Sequence, residues 1–332
     1  MSIINKLRLN ASKTNKSIIF PDGNDERTIK AANELLSNKL CSVSLIGDRE
    51  YILKEYSKLN PEHDLQVIDI NDTPYLEKLA FHYYEKRKSK GETMDSALQA
   101  VKRPCYFGAA AVDNGLFDGC VAGSISSSAE VLRGALRGIG MKKGMSKISS
   151  FIILETPVKE YGSNGTFFMA DIAINPYPDS EVLADIAVST ADSYRLLMED
   201  EPKVALLSFS TAGSAEGESI DKVRQALKIV KENRPDILID GELQFDAALI
   251  KEIGKRKAPE SMVAGQANVF IFPNLDAGNI GYKITERMCI GATATGPILQ
   301  GLAKPMNDLS RGCSYMDIVN TALVTIFQSE NK

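Results

Sequence analysis

Short apolar runs rich in β-branched residues alternate along this chain with longer stretches whose apolar residues fall three or four apart. The short runs cover 17–20, 43–47, 67–70, 119–123, 149–154, 166–170, 204–209, 237–240 and 269–272. The longer ones cover 25–37, 73–89, 128–138, 180–198, 219–233, 245–255 and 278–288. A two-residue period suits a strand and a 3.6-residue period a helix. Regular alternation of the two predicts an α/β fold with mainly parallel sheets, in which ligands sit at the carboxyl ends of strands. A length of 332 residues favours two domains. The Gly- and Lys-rich segment 138–147 and the Gly-, Ala- and Thr-rich segment 291–301 are the expected crossings. They divide the chain into a discontinuous first domain, 1–147 plus 300–332, and a second domain, 148–299. A final helix at 316–328 would return to the first domain, with the loop before it in the cleft between the two.

Composition narrows the class. Apolar residues make up 44% and charged residues 25%, as in ordinary globular proteins. Net charge is −4 and no basic block occurs, so nucleic acid is not an expected partner. No apolar run reaches the ~20 residues that span a bilayer, and the amino terminus lacks the apolar centre of a signal peptide. It reads as a short surface helix, and the expected location is cytoplasmic. Five cysteines, none in a C-x-x-C pair, argue against a disulfide framework or a zinc site. The two histidines, His63 and His82, lie in polar surroundings, so Ser/His or Cys/His chemistry has little support.

Four stretches could carry chemistry. In Pro305-Met306-Asn307-Asp308-Leu309-Ser310-Arg311-Gly312-Cys313-Ser314, followed by Asp317, a hydroxyl, a guanidinium and a carboxylate lie close together. The hydroxyl can donate to a carbonyl oxygen, the guanidinium can fork onto a phosphate, and the carboxylate can accept a proton. These groups suit acyl transfer between a phosphate and a thiol; a polar loop capping the last helix at Ser314 is the plainer alternative. The stretch 118–130 reads as strand, small-residue turn and a helix start carrying Ser126, Ser127 and Ser128, with Arg133 a turn further on. That pattern suits an anion, though one serine would suffice as a helix cap. Asp240, Glu242 and Asp246 could hold a divalent cation or simply cap and solvate a loop. In 274–283, Tyr282 and Lys283 could reach a ligand phosphate or acyl group. Neither a P-loop nor a strand followed by G-x-G-x-x-G is present.

Across nearly its whole length the chain resembles the phosphate acetyl/butyryltransferase family. The carriers are PDGNDERTIKAA at 21–32, DGCVAGS at 118–124, LLSFSTAGSA at 206–215, DGELQFDAA at 240–248, ANVFIFPNLDAGNIGYKITER at 267–287 and GPILQGLAKPMNDLSRGC at 296–313. The resemblance implies two three-layer α/β domains around a cleft, as in isocitrate and isopropylmalate dehydrogenases, and a homodimer. It implies reversible acetyl transfer between acetyl phosphate and coenzyme A, so that acetyl-CoA and phosphate are the other partners. Coenzyme A is then a substrate, and neither a permanently bound cofactor nor a metal is expected. The family's catalytic groups fall on Ser310, Arg311 and Asp317 and a helix arginine on Arg133, with Arg103 a looser match; Ser126, Ser127, Ser128, Asn279, Tyr282, Lys283 and Asn307 are the further candidate substrate contacts. Phosphate butyryltransferase is the nearest alternative; a metal- and NAD-dependent decarboxylating dehydrogenase and a non-catalytic coenzyme A-binding protein are more remote.

Overall fold

The structure, a computed structural model, describes residues 2–198 and 200–330. In chain order the elements are α1 (Ile3–Ala11), β1 (Ser17–Phe20), α2 (Glu26–Ser37), β2 (Ser42–Ile46), α3 (Arg49–Ser57), β3 (Gln66–Ile68), α4 (Leu76–Arg87), α5 (Met94–Val101), α6 (Pro104–Asn114), β4 (Gly119–Ala122) and α7 (Ser128–Gly134). There follow β5 (Ser149–Glu155), β6 (Thr166–Ala170), α8 (Ser180–Met198), β7 (Lys203–Leu207), α9 (Glu218–Asn233), β8 (Leu238–Leu243), α10 (Phe245–Leu249), α11 (Lys251–Lys257), β9 (Val269–Ile271), α12 (Leu275–Met288) and β10 (Thr293–Gln300). The chain closes with β11 (Met306–Asp308) and α13 (Tyr315–Gln328). Two compact units result. One runs up to Lys143 and resumes at Leu302; the other is Gly144–Gly301.

The first unit is built on a parallel five-stranded sheet in the order β11-β4-β1-β2-β3. Alternation sorts its side chains between two faces. Ile19, Cys120, Ala122 and Met306 pack with α4, α5 and α6. Gly119 faces the other way, where an added Cβ would meet Thr325 of α13 and Ile18. The amino-terminal helix is more than a surface feature, because Ile3, Leu7 and Ala11 are buried. The expected helix over 128–138 is an α-helix only to Gly134 and continues as a π segment, Ala135–Ile139.

The second unit carries a six-stranded sheet, β10-β5-β6-β9-β7-β8. It is mixed rather than parallel: β5 runs antiparallel to both β6 and β10. Phe151 stacks on Phe168, which meets Tyr194 of α8 edge-on. The opposite face packs Ile152, Phe167, Met169 and Phe270 with Ala248, Val263 and Phe272. The expected helix over 245–255 is interrupted at Ile250, whose backbone is extended, giving α10 and α11. No helix among the described residues is long and apolar enough to cross a membrane.

Candidate active site

In the first sheet β1 lies between β2 and β4, and the chain winds outward from it in both directions. Such a reversal opens a crevice at the carboxyl ends of the central strands, where α/β folds bind ligands. Three loops leave strands there: 21–25 after β1, 123–127 after β4 and 309–314 after β11. Almost every sequence-nominated residue of the first unit lies on or beside the last two loops.

Asp22 organises the serine loop. Its buried carboxylate accepts the Gly123 N–H at 2.7 Å, the Ile125 and Ser126 N–H groups at 3.4 Å each, and the Ser126 hydroxyl. The three serines are therefore not equivalent. Ser126 is bonded to Asp22, Ser127 caps α7 by accepting the Glu130 N–H, and Ser128 stands exposed at the first position of that helix. Gly123 is required where it stands. Its φ is +111°, and a Cβ there would lie 2.5 Å from the Leu309 nitrogen.

Arg27 holds the other loop in place. Its Nη1 donates to the carbonyl oxygens of Arg311 and Cys313, both at 2.8 Å. Its Nη2 donates to the Ser124 carbonyl oxygen and the Asp25 carboxylate, both at 2.7 Å, and its Nε also donates to Asp25. Every N–H of this guanidinium is thereby used. Asp25 also caps α2. Burial works to raise the Asp25 pKa, but the bonds from Arg27 outweigh it and the carboxyl titrates below its usual range.

Within the loop so held, Ser310 is exposed; its Oγ accepts the Gly312 N–H at 3.3 Å and keeps its own hydrogen to donate. Arg311 is exposed as well. Asp317 occupies the first turn of α13. Its Oδ2 accepts the Ser314 N–H at 2.7 Å and the Ser314 hydroxyl at 2.9 Å, while Ser314 Oγ accepts the Asp317 N–H. That is a capping box, so the capping role considered from sequence is present. Asp317 remains exposed, and no protein hydrogen bond among the described residues reaches its other oxygen. Cys313 is buried, and burial lifts its pKa despite the nearby Arg27.

Other nominated residues are placed differently. Asn307 is fully buried and its amide donates to Thr325 and Gln328, both at 2.8 Å, which ties β11 to the last helix. Arg133 is exposed on α7. Arg103 pairs with Glu130 and lies 4.4 Å above the Tyr106 ring. Asn279, Tyr282 and Lys283 all belong to α12 in the second unit. Asn279 donates to the Ile172 carbonyl oxygen, Tyr282 packs into the core, and Lys283 is exposed. The three carboxylates considered for a cation go to three separate bases: Glu242 to Arg224, Asp246 to Lys257 and Asp240 to Lys231.

Asp22, Asp25, Arg27 and Asp308 were not singled out from sequence. The available signal was their position, since three acids and an arginine directly follow a strand in PDGNDER, and Asp308 immediately precedes the Leu-Ser-Arg run.

Comparison with known proteins shows the family. The sequence pattern described as Phosphate acetyl/butaryl transferase matches residues 2–326. A phosphate acetyltransferase of Thermoanaerobacterium thermosaccharolyticum is 46% identical over 330 residues, covering 99% of this chain and 100% of that protein. One from Clostridium acetobutylicum is 43% identical, with 99% of each chain covered. The crystal structure of a phosphotransacetylase from Streptococcus pyogenes superposes with a TM-score of 0.94 at 41% identity, covering 100% of both chains. The pattern match over nearly the whole chain and these likenesses lead to one assignment: the chain belongs to the Phosphate acetyl/butaryl transferase family.

Proposed function

We infer that this chain is an acyltransferase that moves an acetyl group reversibly between acetyl phosphate and coenzyme A. The observation that carries the reading is the Ser310-Arg311 loop, held through Arg27 to the loop of serines. On this reading Arg311 and the serine loop, with Arg133 one turn on, receive the phosphate. Ser310 donates to the oxyanion that develops on the acetyl carbonyl, a type of contact worth roughly 3–4 kcal/mol where it has been measured. Asp317 takes the proton of the coenzyme A thiol. A free thiol has a pKa of ~8.5, so thiolate is scarce at neutral pH without a base. The thiolate then attacks acetyl phosphate directly while both are bound, which converts a bimolecular encounter into an oriented one.

Two further points accompany this reading. Ile280, Ile284 and Met288 recur every fourth position on α12 and are 53% to 77% exposed, with Ile290 beyond them at 94%. An apolar stripe of that kind supports a homodimer closed by this helix. Free thiols at Cys41, Cys105, Cys120, Cys289 and Cys313 favour a cytoplasmic location.

Thioester formation from coenzyme A, followed with acetyl, propionyl and butyryl phosphate in turn, tests the assignment. Acetyl phosphate is expected to give the highest kcat/KM. Preference for butyryl phosphate would make the chain a phosphate butyryltransferase, and absence of thioester with all three would overturn acyl transfer.

A further inference from the structure

We propose that Asp308 is the acid of this reaction: a buried carboxyl beside the serine loop that, in its protonated form, passes its proton through the Ser128 hydroxyl to the phosphate as it leaves the acetyl group. This rests on the acyl-transfer reading above.

Asp308 ends β11, two residues before Ser310, and is 6% exposed. Its Oδ1 is buried without any hydrogen-bond partner. That oxygen packs on the first residue of the serine loop, since a Cβ added to Gly123 would stand 2.4 Å from it. Asp22, close by, takes the opposite share. The Gly123, Ile125 and Ser126 N–H groups and the Ser126 hydroxyl all converge on Asp22. A buried carboxylate oxygen without a donor is costly when charged, and two neighbouring carboxylates resist carrying two charges. A proton is therefore held more readily by Asp308 than by an ordinary exposed carboxylate. The groups facing Asp308 are Asp22 after β1, Cys105 of α6, Ser128 of α7 and the Leu309 N–H, none of them a cation. Burial, with Asp22 adding to it, raises the Asp308 pKa to about 6 although Ser128 and the Leu309 N–H pull the other way. A phosphate bound above would raise it further by adding negative charge.

The chemistry calls for such a group. Acetyl phosphate is a dianion near neutral pH, and cleavage without a proton would expel phosphate as a trianion, a poor leaving group. In the proposed step the thiolate sulfur bonds to the acetyl carbon and the carbon–oxygen bond to phosphate breaks. The departing oxygen takes the Ser128 proton, and Ser128 takes the proton of Asp308. The thiol proton has gone to Asp317. Phosphate leaves as hydrogenphosphate, and exchange with solvent returns Asp308 to its neutral form and Asp317 to its ionised form. In reverse, ionised Asp308 draws the proton from hydrogenphosphate as it attacks acetyl-CoA. One carboxyl buried and another left exposed is the usual division between acid and base.

Asp308→Asn keeps the shape and removes the transferable proton. Its kcat is expected to fall by ~10²-fold or more, with the KM for acetyl phosphate little changed. Wild-type kcat should fall at high pH in the thioester-forming direction and at low pH in reverse, and the variant should lose both limbs. Retained kcat in Asp308→Asn would overturn the proposal, and so would a loss of activity that leaves both limbs in place. Should Asp308→Asn fail to fold, Ser128→Ala at the exposed relay position decides. A fall of ~10-fold or more in kcat with displaced limbs supports the relay, and an unchanged profile overturns it. Failure of the parent assignment would look different, since the unsubstituted protein would then form no thioester.

Discussion

The guanidinium of Arg27 and the backbone carbonyl of Arg311 are joined by a 2.8 Å hydrogen bond across 284 positions of sequence. The same guanidinium reaches Cys313 and Ser124, so one side chain sets the spacing between the loop of Ser310 and the loop of serines. A residue that only balanced the charge of Asp25 would need none of these carbonyls.

Arg27→Lys follows from that bond. Lysine keeps the charge but lacks the planar fork that spans separate acceptors. Hydrogen bonds from charged donors contribute about 1.5–3 kcal/mol each, so losing even one of the loop contacts should lower kcat/KM for acetyl phosphate about tenfold or more. Steady-state kinetics on a protein of unchanged circular dichroism gives the answer. Full activity in Arg27→Lys would mean that the loop holds its shape without this anchor.

Asp317 has two separable parts, and substitution tells them apart. Asparagine can accept the Ser314 bonds and caps about as well as aspartate. Asp317→Asn should therefore melt near the wild-type temperature yet lose kcat by ~10²-fold or more, because the amide cannot take a proton. Asp317→Ala should in addition lose ~1 kcal/mol of stability with its cap. Normal turnover by Asp317→Asn would leave the capping box as the whole role of this residue.

Glu242 makes the second unit sensitive to acid. Burial acts to raise its pKa, but Arg224, the Gly213 N–H and the Ser210 hydroxyl prevail and bring it down to about 2 from 4.5. A depressed carboxyl stabilises the fold fully above its unfolded pKa, and that contribution is lost as pH falls through the folded one. The window runs from about pH 5 to about pH 2, and the shift corresponds to roughly 3 kcal/mol. Glu242→Gln should flatten this acid limb of the melting temperature against pH. An acid limb of unchanged depth in the variant would assign it to other carboxylates.

Much of this molecule could be read along the chain. Residues 17–20 and 166–170 are short, nearly continuous apolar runs and form strands with those bounds, because a strand buried on both faces needs that pattern wherever it lies. Ser310, Arg311 and Asp317 announce themselves because they sit within one loop and the helix turn after it. What sequence left open has a common cause. The residues Met306–Asp308 are poor strand formers, and they pair because β4 lies beside them. Helix α6 shows no amphipathic stripe because Cys105 to Val112 are buried on every side. The role of Asp22 depends on donors about a hundred positions away, that of Arg27 on carbonyls nearly three times further, and the raised pKa of Asp308 on burial, to which the Asp22 carboxylate adds. Periodicity is a local property that the chain carries by itself. The donors around a buried carboxylate and the acceptors around a guanidinium exist only once distant strands lie side by side, and so the tertiary structure alone decided them.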